Sequence, residues 1–165
     1  MSDLSIKIEE LIDSNAKDFE ISKLIKYSIK EYLGSLDEIF THSGGKDFFV
    51  KHTKQIDSFI IHLYKYILRK HFGQYQPLSN AIPITLVALG SYGREQLCIY
   101  SDIDLMLLYE DTKGYNIKNI LEEFLTLAWD AGLKLGHRVH EIKDIENVVK
   151  EDIRSEERRV GKECR

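Results

Sequence analysis

The chain has 165 residues, which suits one domain, or one domain with a helical extension. With 43% hydrophobic and 30% charged residues it can build a packed core, which excludes global disorder. A net charge of −4 argues against a general nucleic-acid binder, which shows a basic stripe. No apolar run approaches membrane-spanning length, MSDLSIKIEE lacks a signal pattern, and Cys98 and Cys164 make no disulfide framework. The reading is a soluble cytoplasmic protein, with no nucleic acid and no membrane among its partners.

In chain order, residues 3–33 carry a helical pattern. Leu4, Ile8, Leu11 and Ile12 share one face. After DSNAKDF a second face runs through Ile21, Leu24, Ile25, Ile29 and Tyr32, with Asp18 as its N-cap. THSGGKD at 41–47 reads as a turn punctuated by Gly44 and Gly45. Helical spacing resumes over 48–72 through Phe49, Ile56, Phe59, Ile60, Leu63, Tyr64, Ile67 and Leu68, and Gly73 supplies the stop. QYQPLSNAIP holds both prolines and is a connector.

The texture then changes. ITLVAL, Ile84 to Leu89, is a β-favouring run of the buried-strand type. GSYGREQLCIYS is a turn leading into a short helix, DIDLMLLYE a second strand, and DTKGYN a loop. IKNILEEFLTLAWDAG is an amphipathic helix whose face is Ile117, Ile120, Leu121, Phe124, Leu125 and Ala128, ended by Gly132. LKLGHRVHEI alternates as a third strand through Leu133, Leu135 and Val139, and Asp144 caps a further helix in DIENVVKEDI. The last residues, 154–165, lack apolar periodicity, and RSEERRVGKEC reads as the translation of a common sequencing adapter. They are set aside from the fold, and the natural chain is expected to continue past Ile153. The expected division is a helical segment 1–75, an incomplete α/β part 80–153 and an artefactual tail 154–165.

The chemistry concentrates in LGSYGREQLCIYSDIDLM, Leu89 to Met106. Alternate side chains of a strand share a face, so Asp102 and Asp104 would point the same way, about 6–7 Å apart. Two adjacent carboxylates repel, and burying both unpaired is costly. A divalent cation removes the conflict, and Mg²⁺ prefers carboxylate oxygens completed by substrate phosphates and water. The turn before them presents backbone N–H groups at a helix start. Gly90 permits close backbone approach to a phosphate, Ser91 adds a hydroxyl, Gly93 permits a second unusual backbone angle, and Arg94 offers a planar fork. A lone Gly-Ser turn carries almost nothing, and a lone D-x-D is more often a solvated edge strand. Their combination, ten residues apart with a buried strand on each side, points to a site.

Gly90-Ser91, ten residues, then Asp102-Ile103-Asp104-Leu105 resembles the signature of the DNA polymerase β-like nucleotidyltransferase superfamily. VALGSYGREQLCIYSDIDLMLL followed by LTLAWDAGLKLGHRVHEIKD is similar, more narrowly, to the PII uridylyltransferase/uridylyl-removing enzymes, over about residues 82–150. Tyr92, Gly93, Arg94, Leu97, Ser101, Trp129, Asp130, Leu133, Gly136 and His137 fall on that family's motif positions. The resemblance implies an α+β fold: a helical N-terminal segment, then a partial polymerase β-like mixed sheet with flanking helices. It implies transfer of UMP from UTP to a tyrosine of a PII nitrogen-regulatory protein, with Mg²⁺ held by Asp102 and Asp104. Gly90, Ser91, Gly93 and Arg94 would bind the nucleotide phosphates. The alternatives are a stand-alone nucleotidyltransferase with another acceptor, or a non-catalytic nucleotide-binding or interaction module. Ser91 replaces the family's usual glycine, and Glu95 brings negative charge where a small residue is common. The superfamily also uses a third carboxylate on a later strand, for which Glu141 is the candidate and a surface glutamate the alternative. Trp129 reads as core, Cys98 as a small buried residue, His137 as a structural position and His140 as solvated. This stretch of chain by itself is expected to be weakly active or inactive.

Overall fold

The computed structural model describes residues 3–73, 84–111 and 113–145. The tail at 154–165 and the helix expected after Asp144 lie outside them, apart from a 3-10 turn over Ile142–Asp144. Four helices come first: α1 (Asp3–Asp13), α2 (Asp18–Gly34), α3 (Leu36–Ser43) and α4 (Gly45–Phe72). There follow β1 (Ile84–Ala88), α5 (Gly90–Gly93), β2 (Ile103–Tyr109), α6 (Ile117–Asp130) and β3 (Leu135–Glu141). The fold is α+β, with helices first and a mixed sheet after them.

The apolar stripes form as their spacing predicts, with local corrections. Ile21, Ile25 and Ile29 of α2 are buried, as are Ile56, Phe59, Ile60, Leu63, Ile67 and Leu68 of α4. At the start of α4, Phe48 rather than Phe49 is buried, 2% exposed. The expected turn at 41–47 shrinks to one residue. Gly44, at φ +53°, ends α3 and α4 begins at once. The N-cap of α2 is Lys17, whose N–H donates to the Glu20 carboxylate at 2.9 Å. Asp18 is instead the first helical residue. Its carboxylate takes the Tyr66 hydroxyl at 2.6 Å and the Lys70 ammonium at 2.8 Å. Lys70 also reaches Glu123 at 2.6 Å, so one lysine joins α2, α4 and α6.

The sheet has the order β1-β2-β3, β1 antiparallel and β3 parallel to the central β2. The parallel step requires a crossover, which α6 supplies. Ile103, Leu105, Leu107 and Tyr109 of β2 are buried, while Asp104 between them is exposed. They join Ile25, Phe59, Leu63, Leu121 and Phe124 in a single core spanning the helices and the sheet. Each fully buried side chain of this size contributes about 1.5–3 kcal/mol. The Tyr64 hydroxyl of α4 donates to the Ile84 carbonyl at 2.7 Å, tying the longest helix to the start of β1. β1 is not the continuously buried strand its composition suggests. It pairs only with β2 among the described residues, and Thr85 and Ala88 are exposed. In β3, Val139 is 39% exposed rather than core. No helix among the described residues is long and apolar enough to cross a membrane.

Candidate functional site

The turn from β1 into α5 begins opposite Asp104. The Leu89 N–H donates to the Asp104 carbonyl at 2.9 Å, which places Gly90 beside the Asp104 side chain. Gly90 has φ +56°, and a Cβ there would sit 2.6 Å from Asp104 Oδ2. On the other side, Gly136 of β3 is in register with Asp104. A Cβ on Gly136 would lie 2.8 Å from Asp104 Oδ1 and 3.9 Å from the Asp102 Cβ. Two glycines therefore make a cradle around one carboxylate, with the second carboxylate at its rim. Asp102 precedes β2 rather than belonging to it, yet both aspartates are exposed and neighbour the same Gly136. Such a pair suits a hard cation whose remaining ligands are water and phosphate oxygens. Among the described residues no group of three or more His, Cys, Asp or Glu side chains could hold a metal ion.

Ser91 is half-buried in α5, and its carbonyl accepts from the Gln96 N–H at 2.9 Å. Arg94 is exposed directly after α5. Gly93 corrects the expectation of an unusual backbone angle, because its φ is not left-handed. The residue must be small because a Cβ there would lie 2.6 Å from the Ala88 carbonyl oxygen. The left-handed angle falls two residues later, on the exposed Glu95 at φ +56°. Since the obstacle at Gly93 is backbone, Gly93→Ala is expected to cost about 1–3 kcal/mol through a forced shift. Denaturant unfolding checks this, and an unchanged midpoint would remove the close approach from the account.

Two residues of α4 that hold this turn, Thr53 and Asp57, carried no sequence signal. The Tyr92 hydroxyl donates to the Asp57 carboxylate, and the Leu97 N–H donates to Thr53 Oγ1 at 3.2 Å. Burial, and the Asp57 carboxylate beside it, push the Tyr92 phenol far above its ordinary pKa, so it remains a donor. Polar residues between apolar ones on a long helix read as solvated positions, and only the fold brings them under the turn.

Glu141 is not brought to the aspartates. It pairs with Tyr109, at the far end of the strands from the Asp104–Gly136 pair. Five residues of strand separate it from Gly136, about 17 Å, and the odd offset puts it on the opposite face. Its carboxylate is held by Lys143 at 2.6 Å. Trp129, expected in the core, is 48% exposed and meets the His137 ring edge-on at 5.4 Å. Cys98, expected to be buried, is exposed. His140 is half-buried rather than solvated, and its Nε2 has no partner among the described residues.

The family model described as "Putative nucleotidyltransferase DUF294" matches residues 49–137. The chain is 30% identical over 149 residues to a bifunctional uridylyltransferase/uridylyl-removing enzyme of Haemophilus influenzae, an alignment covering 90% of this chain and 14% of the relative. The enzyme of that name from Vibrio cholerae is 30% identical over 140 residues, 82% of this chain and 15% of the relative. That from Methylococcus capsulatus is 39% identical over 82 residues, 50% of this chain and 9% of the relative. The chain thus spans about a seventh of the length of the curated relatives it matches. No solved structure matches it.

Proposed function

We propose, because this chain belongs to the DUF294 nucleotidyltransferase family, that it acts in the cytoplasm in transferring UMP from UTP to a tyrosine of a PII-type signalling protein. The observation that carries the reading is the Asp104 carboxylate lodged between Gly90 and Gly136, with Asp102 at the rim. A side chain at either glycine would crowd the Asp104 carboxylate oxygens. The relatives are uridylyltransferases by name, which supports a uridylyl group as the one transferred.

In the proposed reaction the acceptor tyrosine oxygen attacks the α-phosphorus of UTP. A new P–O bond forms, the bond to the bridging oxygen of the β-phosphate breaks, and pyrophosphate leaves. The tyrosine proton passes to solvent. Asp102 and Asp104 would hold Mg²⁺, which when bound neutralises charge on the α-phosphate and the leaving oxygen. Gly90, Ser91, Gly93 and Arg94 would hold the β- and γ-phosphates, by backbone approach and by a planar guanidinium. The protein's contribution is positioning and fixed charge.

The test incubates the longer protein expected to carry this chain with UTP labelled in the uridine, MgCl₂ and a PII-type protein. The expected result is label on an acceptor tyrosine with release of pyrophosphate. Equal labelling from ATP would overturn the assignment of uracil. Label on an RNA end or a small molecule instead would overturn the assignment of the acceptor.

A further inference from the structure

We propose that Thr53 and Asp57, one turn apart on α4, are positioning residues that clamp the 90–101 segment beside Asp102 and Asp104. The proposal rests on the reading of that segment as the phosphate-holding turn. Residues four apart on a helix lie on the same face. Here that face offers two acceptors to one segment. Asp57 takes the Tyr92 hydroxyl, from a ring only 4% exposed. Thr53 takes the N–H of Leu97, a residue 1% exposed. Thr53 is itself 1% exposed, and its hydroxyl donates to the Phe49 carbonyl at 2.8 Å. Its single proton is therefore committed to the helix, which leaves the oxygen to accept from Leu97.

The two attachments bracket Gly93, Arg94, Glu95 and Gln96, all of which are exposed. Around the bracket the segment is closed on itself. Gln96 N–H donates to the Ser91 carbonyl at 2.9 Å, and Glu95 N–H to the Tyr92 carbonyl at 3.1 Å. A closed turn fixed at two points moves as one piece. Its other end is Gly90, against the Asp104 carboxylate. Exposed segments with few buried contacts open most readily, so the α4 attachments set how often this one does. They join residues 35 and 44 apart in sequence, which places control of the turn on a helix that carries none of the proposed ligands.

The test compares amide exchange of the full 165-residue chain with that of Asp57→Ala, Asp57→Asn, Thr53→Val and Tyr92→Phe, all without nucleotide. Loss of either attachment is expected to raise exchange of peptides covering 90–101 about tenfold and to leave α6 unchanged. Asp57→Asn keeps an acceptor oxygen and should exchange like the parent. Unchanged exchange at 90–101, or an equal rise in α6, overturns the clamp. A second arm measures UTP binding with Mg²⁺. Tyr92→Phe and Asp57→Ala should each weaken it about tenfold, and the double variant should bind no worse than either single. Strictly additive losses overturn the coupling. The binding arm uses the longer protein expected to carry this chain; if that parent binds no UTP, the functional reading fails, while the exchange arm still decides the clamp.

Discussion

In the longer protein expected to carry this chain, Asp104→Ala is expected to lower the proposed magnesium-dependent transfer from UTP by about 10³-fold, the size of loss seen when one fixed electrostatic group is removed from a site. Stability should stay within about 0.5 kcal/mol of the parent. The two effects separate because the side chain and the backbone of Asp104 have different tasks. Its carbonyl accepts from Leu89 and its strand pairs on both sides, all of which alanine retains. Its carboxylate is exposed and lies in a cradle made by two glycines. Asp104→Asn keeps the shape and removes the charge, so it should lose nearly as much activity. Initial rates and thermal unfolding measured on the same preparations check this. Equal transfer by parent and Asp104→Ala would remove the metal platform from the mechanism.

A set of three glycine substitutions divides site geometry from backbone strain. Gly136→Ala puts a methyl 2.8 Å from Asp104 Oδ1, at a residue whose φ is ordinary. The carboxylate is the end of a short flexible side chain and can swing aside, so unfolding should move by less than about 1 kcal/mol. Transfer should fall by up to about 10²-fold, because a displacement of about 1 Å in a reacting group has that effect. Gly132→Ala is the opposite case. Its φ is +91° and nothing lies within 4 Å of the added methyl. Stability should fall by about 1–2 kcal/mol with transfer retained. Gly90→Ala combines a φ of +56° with a contact of 2.6 Å and should lose both. A Gly136→Ala variant as active as Gly132→Ala would show that the cradle does not govern catalysis.

Much of the fold was legible because it rests on aliphatic periodicity. The stripes Ile21–Ile25–Ile29 and Ile56–Phe59–Ile60–Leu63–Ile67 name their helices, and the alternation from Ile103 to Tyr109 names the central strand. Gly73 and Gly132 mark helix ends and carry the left-handed angles their positions suggest. What spacing could not supply is register. The meeting of Gly136 with Asp104, and the removal of Glu141 to the far end and other face, both follow from a parallel pairing that neither strand states alone. Thr53 and Asp57 were hidden for another reason. A polar residue on an amphipathic helix looks the same whether it meets water or a distant turn. Trp129 and Cys98 show the converse: residues that favour burial can lie exposed.

The cradle also ties three positions far apart in the chain into one heritable unit. While the Asp104 carboxylate must keep its place, side chains at 90 and 136 would displace it. A descendant that kept the fold and abandoned the chemistry would be released unevenly. Position 136, with its ordinary φ, could drift to larger residues at once. Position 90 would still be held to glycine by its left-handed backbone. A bulky residue at 136 beside a retained glycine at 90 would thus mark a member of this lineage that has become a binding protein or a scaffold.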